Sequence, residues 1–366
     1  MLKRTPLYEF HKKLGAKMVE FGGWEMPVQY TGVIEEHNAV RTRAGLFDIS
    51  HMGEIMVSGK DAKKFVNYVT TNNLDRIGDG RCQYSVCCYE DGGVVDDVIT
   101  YQITPFKFLI VVNASNTDKD YDWFVAHKGD FDVSIENLSS EYYQLALQGP
   151  LAEGILTPLV SMPLYRLATF QFCETILRGK KIILSRTGYT GEDGFEIYGA
   201  WGDAPYVWQT LLETGKTYGL TPIGLGARDS LRLEAALSLY GHEIDKTINP
   251  FEARLSWVVK LDKEDFIGKE ALTQIHKNGC QRKLVGLDMI DQGIPRQGYP
   301  VYAGDQKVGA VTSGTFSPTL QKPIGLALVE KTHATEGNTL QIEMRGQKRA
   351  AKVVGLPFYK KSFENS

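Results

Sequence analysis

KLVGLDM (283–289), KVGAVTSG (307–314), IGLALVE (324–330), LQIEM (340–344) and AAKVVGL (350–356) follow one another at short intervals with glycine or proline turns between them. Short apolar runs punctuated in this way read as strands, and such spacing predicts a small all-β barrel or sandwich. The composition changes just upstream, at HKNGCQRK (276–283). A domain boundary is therefore expected near residue 279, dividing the chain into regions 1–278 and 279–366.

Upstream of that boundary, strand and helix signals alternate irregularly. GEIMVSG (53–59) places Ile55 and Val57 on one side of a short strand. Ala62, Phe65, Val66 and Val69 then fall at the i, i+3, i+4, i+7 spacing of a helix. CQYSVCCY (82–89), DDVITYQI (96–103) and KFLIVVN (107–113) read as strands, the last apolar on both faces. Ser115 and Asp118 resemble a capping signal for a helix running to about Lys128. QLALQGP (144–150) is a strand broken by Gly149-Pro150, with a helix expected at once after it. ETILRG and KKIILSR flank a turn at Gly179, and FEIYG follows a glycine-rich loop. Helices are expected near 203–218 and 227–239, the second with Asp229 in its first turn. Hairpins mixed with helices indicate α+β lobes rather than one doubly wound sheet.

The 366 residues suggest two to three domains at about 150 residues each. Apolar residues make up 43% and charged residues 23%, which suits a globular chain. Lys and Arg number 41 against 44 Asp and Glu, so the net charge of −3 gives no reason to expect nucleic acid or an anionic membrane as partner. The longest apolar runs are about five residues, where a bilayer span needs about twenty. No apolar stretch follows the basic N-terminus as a secretory signal would require. Five cysteines, an odd count, fit a reducing cytosol better than a disulfide scaffold, so a cytoplasmic location is expected.

Common catalytic signatures are missing. Gly268-Lys269 is followed by Glu270 and lacks the upstream glycine of a phosphate loop. GLGARD (224–229) starts like a dinucleotide fingerprint but has Asp229 where the third glycine belongs. Cys87 and Cys88 point to opposite faces of one strand and form no C-x-x-C pair. No metal-ligand set is expected. His51, in DISHMGE, is the histidine to watch, although a lone His beside apolar residues is more often structural.

Three less familiar stretches remain. GGVVDDVITYQ (92–102) is a Gly-Gly turn feeding a strand with adjacent carboxylates, and strand alternation sends Asp96 and Asp97 to opposite faces. Both could equally be harmless acids at a strand start. RTGYTGEDGFE (186–196) has three glycines that permit close backbone approach, and Glu196 enters the next strand. The plain alternative is a long hairpin loop. GLGARDSLRLE (224–234) opens a helix with Arg228, where a helix N-terminus usually favours anions. Arg228 then serves either a ligand, a partner carboxylate or an ordinary salt bridge.

Taken in order, TPLYEFHKKLGAKMVEFGGWEMPVQY (5–30), EEHNAVRTRAGLFDISHMGE (35–54), GGVVDD, VVNASNTDKD, QGP, SRTGYTGEDGFEIY, GLGARDSLRLEAALSLYG and TSGTFSPTL closely resemble the T-protein family of the glycine cleavage system, the aminomethyltransferases. The resemblance runs in a single register from about residue 5 to 360. It implies a three-lobed cloverleaf, with two interleaved α+β lobes and a C-terminal β-barrel domain, and tetrahydrofolate as cosubstrate in a central hole. The implied partner is lipoylated H-protein. Its aminomethyl group gives up a methylene carbon to tetrahydrofolate, yielding 5,10-methylenetetrahydrofolate and ammonia.

The family's functional acid falls on Asp97 and its pterin-contacting carboxylate on Glu196. Its arginine falls on Arg228, its tyrosine on Tyr189 and its asparagine on Asn113. A substrate-contacting tyrosine near the C-terminus corresponds loosely to Tyr359. Tyr84, Tyr101 and Tyr189 suit the walls around a flat ring, while core packing is an equal reading for the first two. Arg228 either binds a pterin acceptor, binds a folate carboxylate or supports Glu196. The lysines of HKKLGAK (11–17) and YKK (359–361) are either docking charges for an acidic carrier or solvated surface lysines.

Two rival readings share this resemblance. A demethylase passing a methyl group from a sulfonium compound to folate has similar length. A folate-binding protein of iron–sulfur cluster maintenance would carry a cysteine in a K-G-C-x-x-G-Q-E stretch. Here the comparable segment is DFIGKEAL (265–272), with none.

Overall fold

The structure is a computed structural model that describes residues 2–361. In chain order its strands are β1 (Lys17–Phe21), β2 (Trp24–Gln29), β3 (Gly45–Asp48), β4 (Gly53–Ser58), β5 (Arg81–Cys88), β6 (Val94–Thr104), β7 (Lys107–Val112), β8 (Ser134–Asn137), β9 (Tyr142–Gln148), β10 (Phe172–Leu177), β11 (Lys180–Ser185), β12 (Gly194–Ala200), β13 (Thr221–Ile223), β14 (Arg282–Met289), β15 (Pro300–Ala303), β16 (Gln306–Ser317), β17 (Lys322–Glu330), β18 (Thr339–Met344) and β19 (Gln347–Val354). The chain forms two compact units. The first takes in residues up to Val69, Asn73–Ser85 and Val98–Asp229; the second takes in Thr70–Asn72, Val86–Asp97 and the chain from Ser230 onward.

Two sheets dominate the first unit, one in the order β10-β11-β12-β9-β3-β13, the other in the order β5-β6-β7-β4-β8. Strand alternation gives each sheet two different faces. On β12, Phe195 and Ile197 join Leu145 and Leu147 of β9 in an apolar layer against the helices Ala152–Leu156 and Ala204–Gly215, whose Ile155, Leu156, Val207, Trp208 and Leu211 fill it. The intervening residues of β12, Glu196 and Tyr198, turn the other way. There Tyr198, Ile183 and Phe172 of the first sheet meet Met56, Cys82, Tyr101, Leu109 and Val111 of the second. On the far side of the second sheet the helix Ala62–Val69 buries Ala62, Phe65, Val66 and Val69, the four positions its periodicity predicts. Its Phe65 meets Phe124 of the helix Thr117–Ala126 edge to face, ring centroids 6.4 Å apart.

The N-terminal segment is tied into this unit by buried polar groups. His11 Nε2 lies 2.8 Å from Asp48 Oδ2 and His11 Nδ1 lies 2.8 Å from the Tyr30 hydroxyl. The Thr5 hydroxyl donates to the same Asp48 oxygen at 2.6 Å, and the Ser50 amide donates to Oδ1. Burial alone would raise the Asp48 pKa. Its bonds to His11, Thr5 and Ser50, with the His11 charge, outweigh that and hold it below the usual carboxylate range.

In the second unit β14-β17-β16-β15-β18-β19 close into a barrel, because β14 pairs with both β17 and β19. Val285, Leu287, Val301, Val311, Val329, Ile342 and Val353 line its apolar interior. The barrel's first strand starts at Arg282; we propose residue 279 as the start of the domain that contains it. Arg232 and Glu243, both fully buried, pair at 2.7 Å, and Arg232 Nη2 also donates to Ser313. Among the described residues, no helix is long and apolar enough to cross a membrane.

Two sequence expectations are corrected. The helix after β7 is not capped by Ser115: a 3-10 turn, Ala114–Asn116, leads into the helix Thr117–Ala126 and no side chain caps it. The helix expected at 227–239 is Leu225–Glu234, so Asp229 lies beyond its first turn; Ala236 then takes a left-handed φ of 55°. The strands expected at 53–59, 82–89, 96–103, 107–113 and 144–150 are present within a few residues.

Leu147→Ala, at a fully buried site on β9, is expected to cost about 2–5 kcal/mol. Ile176→Ala on β10, 45% exposed, should stay within about 0.5 kcal/mol of the parent. Urea denaturation compares the two, and equal losses would contradict the layer assignment.

Candidate functional site

Glu196 is the centre of the polar chemistry in the first unit. β12 pairs with β9 and β11, which fixes its backbone, and alternation sends its side chain into the layer between the two sheets. The side chain is 6% exposed. The Thr187 hydroxyl donates to Glu196 Oε2 at 2.5 Å, with the Tyr101 and Tyr198 hydroxyls each 3.4 Å from the same oxygen. The two tyrosine hydroxyls lie 2.8 Å apart, and Gln144 Nε2 donates to that of Tyr198 at 2.8 Å. Ser185 adds a hydroxyl 2.9 Å from Thr187. The Thr187, Tyr101 and Tyr198 hydroxyls thus all meet Oε2. Burial pushes the Glu196 pKa up; Thr187, Arg228, Tyr198 and Tyr101 offset part of that rise.

The loop between β11 and β12 is held from several sides. Gln148 Nε2 donates to the Thr187 carbonyl at 3.0 Å and its Oε1 accepts from Thr190 at 3.0 Å. Arg41 donates to the Thr190 carbonyl and to Glu192, a pair whose side chains are 6% and 2% exposed. Arg186 clasps Asp193 and Glu153. Gly194 is required at the end of the loop, since a Cβ there would sit 2.4 Å from the Leu147 carbonyl oxygen. The loop therefore presents Tyr189 in a fixed place. The Arg228 guanidinium lies over its ring, 4.6 Å from the centroid, a cation–π contact.

Arg228 is aimed by the start of its helix. Gly224 packs so tightly that a Cβ would fall 2.4 Å from the Val28 carbonyl oxygen of β2, and its amide donates to Glu36 Oε2 at 2.8 Å. Glu36, fully buried, also accepts from the amides of Tyr30, Thr31 and Gly32. The Arg228 charge acts on Glu196 and on His51. His51 is 2% exposed, its Nδ1 has no hydrogen-bond partner, and its ring meets Phe21 edge to face at 5.7 Å. Burial and the Arg228 charge push its pKa down to about 3, against the pull of Asp48.

The structure thus brings together Glu196, Arg228, Tyr189 and Tyr101. Tyr101 is fully buried in the layer and bonds Glu196. Tyr84 is half-buried on β5, on the same side as Cys82 by alternation. Asn113 is half-buried directly after β7 and accepts from the Asn116 amide. Asp97 and Tyr359 belong to the second unit. Asp97 is half-buried on β6 beside a fully buried Asp96. Tyr359 is half-buried, and its amide donates at 2.8 Å to the carbonyl of Glu234, whose carboxylate accepts from Ser317 and Thr319. Sequence reasoning missed Thr187, Ser185, Tyr198 and Gln144. Only Tyr198 had a signal, standing two residues beyond Glu196 on one strand.

Comparison with known proteins fits this arrangement. The profile of the GCVT N-terminal domain matches residues 7–263, and that of the glycine cleavage T-protein C-terminal barrel domain matches residues 282–360. The chain belongs to the glycine cleavage T-protein family. Its T-protein relatives include the aminomethyltransferase of Lysinibacillus sphaericus, 50% identical over 362 residues and 99% of each chain. That of Geobacillus sp. is 52% identical over 365 residues, 99% of this chain and all of that one. The crystal structure of the glycine cleavage system aminomethyltransferase T from Bartonella henselae superposes with a TM-score of 0.93 at 36% identity, covering 98% of this chain and 99% of that one. The α+β class and the C-terminal barrel expected of a T-protein are both present.

Because folded His51 refuses a proton until about pH 3 while an unperturbed histidine accepts one near 6.5, the unfolded chain binds more protons between those values. Stability from this site is present above about 6.5 and falls as the pH drops toward 3, with a slope of at most about 1.4 kcal/mol per pH unit. His51→Gln should flatten that part of the pH–stability curve, as read by urea midpoints from pH 7 to 4. An unchanged slope would mean that His51 titrates normally in the fold.

Proposed function

We propose that the chain takes tetrahydrofolate as its cosubstrate, seats the pterin edge on Glu196 and uses Asp97 to steer the reacting amine. The chain is an aminomethyltransferase of the glycine cleavage system. Full-length matches to curated enzymes of that name support this, together with the fold match to a glycine cleavage enzyme.

The observation that carries the proposal is the burial of the Glu196 carboxyl, whose pKa stays raised in spite of its partners. Three hydroxyls crowd Oε2, and burial still leaves the carboxyl short of compensation. A ligand with adjacent N–H donors along a flat edge completes such a site, because a buried carboxylate needs hydrogen bonds to remain charged. Tyr189 supplies an aromatic wall and Arg228, stacked on it, supplies the balancing cation. Tyr84 and Asn113 are proposed as further contacts of the folate, and Tyr359 as a contact of the substrate. Tyr101 acts through its hydroxyl on Glu196 rather than as an open ring wall, since it is fully buried.

Tetrahydrofolate, when bound, supplies the nucleophilic nitrogens N5 and N10 for a one-carbon unit at the formaldehyde oxidation level. The protein's task is to hold two reactants in line, keep water out and move protons. Asp97, half-buried on β6, is the acid proposed to orient N10 and stabilise developing positive charge. The carbon donor is the aminomethyl-lipoyl arm of H-protein, the partner this chemistry requires.

Asp97→Asn should retain folate binding by calorimetry while lowering turnover by about 10²–10⁴-fold. The assay uses aminomethylated H-protein and tetrahydrofolate and follows ammonia and methylene-folate. Glu196→Ala should instead weaken folate binding. Loss of binding in Asp97→Asn as large as its loss of turnover would reduce that residue to a structural or binding role.

A further inference from the structure

Glu54 stands apart among the ionisable groups of the first unit. It is 1% exposed, and neither carboxyl oxygen has a hydrogen-bond partner. Its backbone is fully used: the amide donates to the Ser139 hydroxyl at 2.9 Å, and the carbonyl accepts from the Leu138 amide at 2.8 Å. The side chain alone is left over, and an unsatisfied buried polar group calls for an explanation.

Register locates it. Glu54 pairs with Val111 and Met56 pairs with Leu109 on β7. Met56, Leu109 and Val111 all belong to the layer between the two sheets, so alternation sends the Glu54 side chain into that layer. Its field is felt there by Tyr198 of β12 and Tyr142 of β9. Burial, opposed by no partner, pushes its own pKa up and so favours the neutral acid.

The facing strand carries a second orphan. Gln144, two residues from Tyr142 on β9, donates through Nε2 to the Tyr198 hydroxyl, while its Oε1 has no partner. A side-chain amide can turn over. If it did, Oε1 would accept the Tyr198 proton and that hydroxyl could no longer donate to Glu196. A donor to Oε1 would favour the orientation with nitrogen toward Tyr198. A protonated carboxyl is an O–H donor, whereas a carboxylate only accepts, so a proton on Glu54 would give it a donor for an acceptor such as Gln144 Oε1.

We propose that Glu54 is a positioning residue: as a neutral acid it donates to Gln144 Oε1, fixes that amide, and through Tyr198 keeps Glu196 turned toward the folate. The effect on substrate rests on the reading of Glu196 as the pterin contact; the Glu54–Gln144 bond does not.

The test follows the KM for tetrahydrofolate in the H-protein-coupled assay. Glu54→Leu should raise it about tenfold, the scale of one buried hydrogen bond, with kcat within about twofold of the parent. Glu54→Gln, which restores an N–H donor, should return KM close to the parent value. Gln144→Leu should match Glu54→Leu, and the double variant should be no worse than either alone. Additive losses, or failure of Gln to rescue, would overturn the proposal. Should Glu54→Leu not fold, infrared spectra of the intact protein at neutral pH decide. A carboxylic-acid carbonyl band must be present and must vanish in Glu54→Gln; absence of the band refutes the neutral acid. If Glu196→Ala leaves the folate KM unchanged, the Glu196 reading fails by itself. The infrared band and the non-additivity of Glu54 and Gln144 in urea midpoints would still report on the pair.

Discussion

A carboxylate shut between two sheets has to be compensated where it stands, since water cannot reach it and the charged form is costly in a dry interior. Glu196 is in that position. Thr187 comes from the loop before its own strand, Tyr198 from two residues beyond it and Tyr101 from the opposite sheet. The two sheets are thus joined by one acid's demand for donors as well as by apolar packing. Side chains that would otherwise be unrelated, down to Gln144, are oriented by that demand.

The same constraint accounts for the loop at 186–193. Its glycines would leave a free chain many conformations, yet Gln148, Arg41 and Arg186 each anchor a different part of it. Holding Tyr189 still matters because Arg228 rests on its ring. A cation fixed against an aromatic face also acts on the nearby acid and offsets part of the rise that burial gives its pKa.

Much of the architecture could be read from the amino-acid order. FEIYG read as the strand that carries Glu196, and the helix 62–69 followed from four apolar residues. What sequence left open was non-local. Barrel and sandwich were equal readings because closure depends on β14 having partners on both sides. The start of the helix at Leu225 depends on Gly224 meeting Val28 and Glu36, nearly two hundred residues away. Tyr101 looked like a ring wall because nothing local announces its bond to an acid 95 positions later. For the candidate residues, motif resemblance supplied Glu196, Arg228 and Tyr189. The hydroxyls that serve Glu196 carry no motif, because serine, threonine and tyrosine become legible only once their neighbours are known.

The buried chain from Tyr30 through His11 to Asp48 ties the N-terminal helix Tyr8–Lys13 into the first unit. Cutting away or displacing that helix would strand the Asp48 charge in the interior, a penalty larger than the area it covers would suggest. Fusion partners attached at the leading end are better separated by a generous flexible spacer. A protease able to nick near Leu14 would act on the protein as a denaturant rather than a trimmer.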